Sequence, residues 1–176
     1  MIHSDRVMMR LAVTGQAGQV ARALGEVGAR EGVEVVPLAR PAFDLTLPET
    51  VLPILRAAGV DAVINAAAYT AVDAASAFAV NEGGAAAVAQ AAQVLGISLF
   101  QLSTDYVFEG SGTRPWREGD HTGPLGVYGA STLDRRRAGL RQSCHPAHGV
   151  GLFALWRELR ENHAAAGGGA GCDARC

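Results

Sequence analysis

The stretch Val13-Thr14-Gly15-Gln16-Ala17-Gly18-Gln19-Val20-Ala21 decides the fold. Ahead of it, Met8 to Val13 is short and apolar enough for a buried strand, and behind it Val20, Ala23, Leu24 and Val27 recur at helical spacing. The pattern is strand, glycine turn, helix. Small residues in such a turn let backbone N–H groups at the helix N-terminus point at a phosphate, and the helix end adds partial positive charge. The spacing Gly-x-x-Gly-x-x-Ala therefore reads as a pyrophosphate cradle, with Ala21 at the position where helix and strand pack closely.

Composition limits what surrounds this turn. The 176 residues suit one domain, with 49% apolar content for a core and 18% charged residues. A net charge of −2 offers no electrostatic case for nucleic acid. Met1 to Arg6 lacks the basic segment and apolar run of a signal peptide, and no apolar run approaches a membrane span, so a cytoplasmic protein with no membrane partner is expected. The three cysteines, Cys144, Cys172 and Cys176, make neither a disulfide framework nor a four-ligand zinc site. All 15 basic residues are arginine.

Outward from the turn, the helix is expected to run to about Arg30 and a second strand from Val33 to Leu38, ending beside Arg40. At the end of the second strand of a dinucleotide fold, an arginine accommodates a 2′-phosphate where an acid would bind the ribose hydroxyl. Arg40 thus leans toward NADP(H), with a plain surface arginine as the other reading. Pro48 to Ala58, with Gly59 behind it, has the asymmetry of a helix that Pro53 should shorten or bend. Val60 to Asn65 and Ile97 to Leu102 read as buried strands, and Ser76 to Leu95 as an alanine-rich helix with Asn81 inside it. Strands alternating with helices predict an α/β, Rossmann-type doubly wound parallel sheet, with its chemistry at the strand C-terminal ends.

Two residues near those ends suit carbonyl chemistry. Thr104 follows the strand ending at Leu102, and Tyr128 opens the helix after a long Gly- and Pro-rich loop from Glu109 to Val127. A hydroxyl that polarises an oxygen and a phenol that delivers a proton are the parts of a carbonyl reductase. Taken singly, a threonine more often caps backbone and a tyrosine more often packs.

The motifs together go further. Thr-Gly-Gln-Ala-Gly-Gln-Val, Phe43-Asp-Leu-Thr, Asp61-Ala-Val-Ile-Asn-Ala-Ala-Ala-Tyr-Thr-Ala-Val-Asp, Ala79-Val-Asn, Leu102-Ser-Thr-Asp-Tyr-Val-Phe and Val127-Tyr-Gly-Ala-Ser occur in that order from about Met8 to Thr132. The chain resembles the dTDP-4-dehydrorhamnose reductases of the extended short-chain dehydrogenase/reductase superfamily. The resemblance implies NADPH-dependent reduction of the 4-keto group of dTDP-4-dehydro-L-rhamnose, with NADH use and a homodimer left open. It implies that Gly15, Gln16, Gly18, Gln19 and Val20 hold the pyrophosphate and that Asp44 and Leu45 lie by the adenine. Ala66, Ala67 and Tyr69 would line the cofactor, Thr104 would polarise the carbonyl of the dTDP-sugar and Tyr128 would protonate it.

The chain departs from that family at identifiable places. The signature is Tyr-x-x-x-Lys, whose lysine holds the nicotinamide ribose and lowers the tyrosine pKa. Here Thr132 stands at that position, and the chain contains no lysine, so proton transfer should be impaired. Between Asp73 and Asn81 a surface turn reads as deleted. Ala23 stands where some members carry a metal-binding glutamate, so no metal is expected. Cys144, His145 and His148 lack a fourth ligand.

These features set the expected domains as a dinucleotide-binding domain over 8–143 and an irregular tail over 144–176, with the sugar-binding part largely missing. Synonymous codons for Trp156-Arg-Glu-Leu-Arg-Glu-Asn-His-Ala-Ala-Ala-Gly can be chosen so that reading one base later gives Gly-Gly-Asn-Phe-Val-Lys-Thr-Met-Leu-Arg-Leu-Ala. That string resembles the family's continuation, so a frame-shifted tail is expected. A non-catalytic NADP-binding regulatory or scaffold protein on the same fold is the alternative reading.

Overall fold

The computed structural model describes residues 8–69, 74–111, 114–117 and 120–140, without the side chains of Ala74 and of 135–140. Asp73, the domain boundary at 143 and the tail with Cys144, His145 and His148 lie outside the described residues.

Four runs become parallel strands, and the two central ones are covered on both faces, which removes the polar alternation of a half-exposed strand. They are β1 (Arg10–Thr14), β2 (Glu34–Leu38), β3 (Ala62–Asn65) and β4 (Ser98–Gln101), in the spatial order β2-β1-β3-β4. Side chains alternate across the sheet. Leu11, Val13, Ala62, Ile64 and Phe100 pack under α1 (Gln19–Glu31), while Ala12, Val63 and Leu99 join a second core under α2 (Pro48–Ala58) and α4 (Ala85–Leu95). Two cores on opposite faces make the sheet doubly wound, as the alternating pattern predicts.

From β1 the chain crosses to β2 on one side, whereas β3 sits on the other side of β1. The order therefore reverses between β1 and β3, and in open parallel sheets ligands bind in the crevice at such a switch point. Gly15 leaves the end of β1 there and Ala66 leaves the end of β3.

Two expectations need correction. Pro53 does not shorten α2, which spans Pro48–Ala58 and closes on Gly59 at φ 57°. The carbonyl that loses its partner belongs to Glu49 in the exposed first turn, where water can serve it. The helix expected from Ser76 begins at Ala74 as α3 (Ala74–Phe78), then passes through a π-helical turn at Ala79–Gly84 before α4. In that wider turn Asn81 is completely buried, and Gly84 lies against Leu45 so closely that a Cβ would fall 2.6 Å from the leucine Cβ.

The last described helix, α5 (Val127–Leu140), packs along α4, the π turn and a short 3₁₀ turn at Asp105–Val107. Gly129 makes the last contact workable, because a Cβ there would collide with the Tyr106 carbonyl oxygen. Leu133 and Thr132 are buried in this packing.

Candidate functional site

The glycine turn has the conformation its sequence requires. Gly15 sits at φ +91°, which L side chains rarely adopt, and its N–H donates to the Leu38 carbonyl at 2.7 Å. A Cβ on Gly15 would lie 3.8 Å from Ala67, so the ends of β1 and β3 approach with no side chain between them. Gly18 then caps α1 in extended geometry, with no capping side chain and no acid in the first helical turn. The first N–H groups of a helix have no partner inside it. Gln16, Ala17, Gly18 and Gln19 are exposed around them, so the helix end is open to an anion. The Val20 side chain packs on the core beneath α1.

Arg40 is exposed just beyond β2. Asp44 Oδ1 accepts from both the backbone N–H of Thr46 at 2.9 Å and its hydroxyl at 2.8 Å. These hydrogen bonds, with the charge of Arg40 behind them, hold the Asp44 carboxyl below its ordinary range. Leu45 is a core residue, 6% exposed, with its side chain seated against Gly84.

Two buried polar networks organise the crevice, and the side chains that link them, Thr14, Asn65, Gln101, Asn81 and Ser131, have no role assigned from sequence. In the first, the Ala67 N–H donates to Thr14 Oγ1 at 2.9 Å, Thr14 donates to Asn65 Oδ1 at 2.6 Å, and Asn65 Nδ2 donates to Gln101 Oε1 at 2.9 Å. In the second, Asn81 Oδ1 accepts from the Tyr69 N–H, while its Nδ2 donates to the Tyr69 carbonyl, both at 2.9 Å, and to Ser131 Oγ at 3.0 Å. Ser131 passes the contact to the Tyr128 carbonyl at 3.2 Å. Polar residues closing apolar strands, at Thr14, Asn65 and Gln101, were the available signal.

Thr104 and Tyr128 come to the same edge. Thr104 caps the Asp105–Val107 turn, accepting from the Tyr106 N–H at 3.4 Å and donating to Asp105 Oδ1 at 3.1 Å. The Tyr106 ring meets the Tyr128 ring edge to face, with centroids 5.8 Å apart. Both predicted residues are half-buried. One turn beyond Tyr128, Thr132 is 2% exposed and its hydroxyl has no hydrogen-bond partner among the described residues. Among the described residues, no group of three His, Cys, Asp or Glu side chains is placed to hold a metal ion.

The sequence model of the RmlD substrate binding domain family matches residues 9–147. The chain belongs to that family. The family match continues past Thr132, further along α5 than the motifs read from sequence. The dTDP-4-dehydrorhamnose reductase of Sinorhizobium fredii is 48% identical over 153 residues, covering 84% of this chain and 50% of the relative. A crystal structure of dTDP-4-dehydrorhamnose reductase from Bacillus anthracis, in complex with NADP, superposes with a TM-score of 0.74 at 30% identity. That superposition covers 80% of this chain and 52% of the other. The Clostridium acetobutylicum family member gives a TM-score of 0.73 at 31% identity, over 77% of this chain and 50% of that one. The chain spans about half the length of the curated family members it matches. No helix among the described residues is long and apolar enough to cross a membrane.

Proposed function

We propose that this chain carries the NADPH-binding half of a dTDP-4-dehydrorhamnose reductase, which reduces the 4-keto group of dTDP-4-dehydro-L-rhamnose to give dTDP-L-rhamnose. The observation that carries the reading is the meeting of Gly15 with Ala67 across the switch point, beside an uncapped helix start. These residues fit a dinucleotide: the turn offers backbone N–H groups and room, and Arg40 offers charge for a 2′-phosphate. NADP in the Bacillus anthracis relative supports the choice of cofactor.

When bound, the nicotinamide supplies the hydride. The chain's own residues do the rest. Gly15, Gln16, Gly18, Gln19 and Val20 present backbone to the pyrophosphate, Asp44 and the backbone of Leu45 border the adenine, and Ala66, Ala67 and Tyr69 form the opposite wall. The Thr104 hydroxyl, which needs only to turn from Asp105, donates to the substrate carbonyl oxygen. Tyr128 gives the proton to that oxygen.

Thr132 favours a second reading in which the fold holds NADPH without turning over, because a neutral buried hydroxyl stands where the family carries its lysine. Titrating the 176-residue chain with NADPH tests the cofactor assignment; no binding would refute it. Thr132→Lys tests the second reading by NADPH oxidation with the dTDP-sugar: a gain in rate marks a damaged reductase and refutes the binding protein.

A further inference from the structure

The hydrogen bonds across β1, β3 and β4 run in a forced direction. At one end stands the Ala67 N–H, which can only donate, and at the other the Leu102 carbonyl, which can only accept. Because Thr14 Oγ1 accepts from Ala67, its proton goes to Asn65, which must turn Oδ1 toward it. Asn65 then presents Nδ2 to Gln101 Oε1, and Gln101 Nε2 reaches the Leu102 carbonyl at 3.2 Å. Thr14 is fully buried and Asn65 nearly so, at 1% exposure. In such surroundings aligned hydrogen bonds polarise one another, and reversing a single member leaves two like atoms facing.

The ends of this chain of bonds are functional in position. Ala67 is the residue that faces Gly15, and Leu102 lies two residues before Thr104. We propose that Thr14, Asn65 and Gln101 are positioning residues that set the Ala67 wall of the crevice and the Leu102–Thr104 segment in one register. They would place the nicotinamide half of the dinucleotide against Thr104, which rests on the NADPH assignment above. The adenosine half, bordered by Arg40 and Asp44, lies beyond their reach.

The experiment compares the 176-residue chain with Thr14→Val, which keeps the shape and removes the hydroxyl, and Thr14→Ser, which keeps the hydroxyl. NMR follows exchange of the Ala67 N–H and the side-chain amide resonances of Gln101, and titrations give affinities for NADPH and for adenosine 2′,5′-bisphosphate. Thr14→Val is expected to speed Ala67 exchange, shift the distant Gln101 amide and weaken NADPH about tenfold, the effect of one lost hydrogen bond. Affinity for the bisphosphate stays unchanged, and Thr14→Ser restores NADPH binding. An unmoved Gln101 amide overturns the proposal, as does an equal loss of affinity for both ligands. If Thr14→Val does not fold, Gln101→Met must speed Ala67 exchange from the other end, and unchanged exchange refutes the coupling. A wild-type chain that binds no NADPH refutes the cofactor assignment and the nicotinamide placement with it; the Gln101 resonances still decide the coupling.

Discussion

Gly84 lies against Leu45 with no room for a side chain of its own: a Cβ on Gly84 would lie 2.6 Å from Leu45 Cβ and 2.8 Å from its carbonyl oxygen. The π turn is thereby held against the segment that borders Asp44. Gly84→Ala is expected to destabilise the chain by about 1–3 kcal/mol, the usual result of forcing a methyl into a filled core. Urea unfolding measures this, and unchanged stability would mean that the π turn relaxes without cost.

Asn81 pairs both backbone groups of Tyr69, and it reaches Ser131 on α5 as well. Asn81→Ala leaves these part-buried groups without that partner. A loss of about 1–2 kcal/mol is expected, the cost of a few hydrogen bonds whose groups water can partly serve. Thermal and urea unfolding of Asn81→Ala give the value. A near-neutral effect would show that the Tyr69 segment does not depend on the clasp.

Thr132 presents the opposite case, a buried hydroxyl with no partner among the described residues. Thr132→Val keeps the shape and removes the unsatisfied group, so a gain of about 1 kcal/mol is expected. Denaturant midpoints of the two proteins test it. Destabilisation by valine would mean that the hydroxyl is satisfied in solution.

Asp120 accepts two hydrogen bonds from the Arg114 guanidinium, each 2.8 Å, and another from the Arg117 N–H at 2.7 Å. Chiefly through Arg114, these hold its carboxyl at about 2, below the ordinary 3.8. A lowered folded pKa means the unfolded chain binds more protons, so the clasp contributes above the ordinary value and is lost as pH falls toward about 2. The Asp120 carboxyl resonance should titrate near that lower value, and Arg114→Ala should move it up. Trp116, stacked on Phe108 with centroids 4.8 Å apart, lies in the same loop and offers a fluorescence reporter. A midpoint at the ordinary carboxylate value would contradict the clasp.

Val13 to Ala21 determined the fold class from sequence, because a buried strand, a glycine turn and a helix leave local signatures in period and residue size. The ordered motifs likewise pointed to the family, and the Tyr128 to Thr132 spacing put a threonine four residues after the tyrosine in a chain with no lysine. Tertiary structure alone decided how Thr14, Asn65 and Gln101 join, since their hydrogen bonds cross strands that are far apart in the chain. It also decided that Leu45 is core, that Asn81 turns inward through a π turn, and that the Thr132 hydroxyl is stranded. Periodicity records which face of an element is buried; the partner a buried polar atom finds depends on which elements the fold brings beside it.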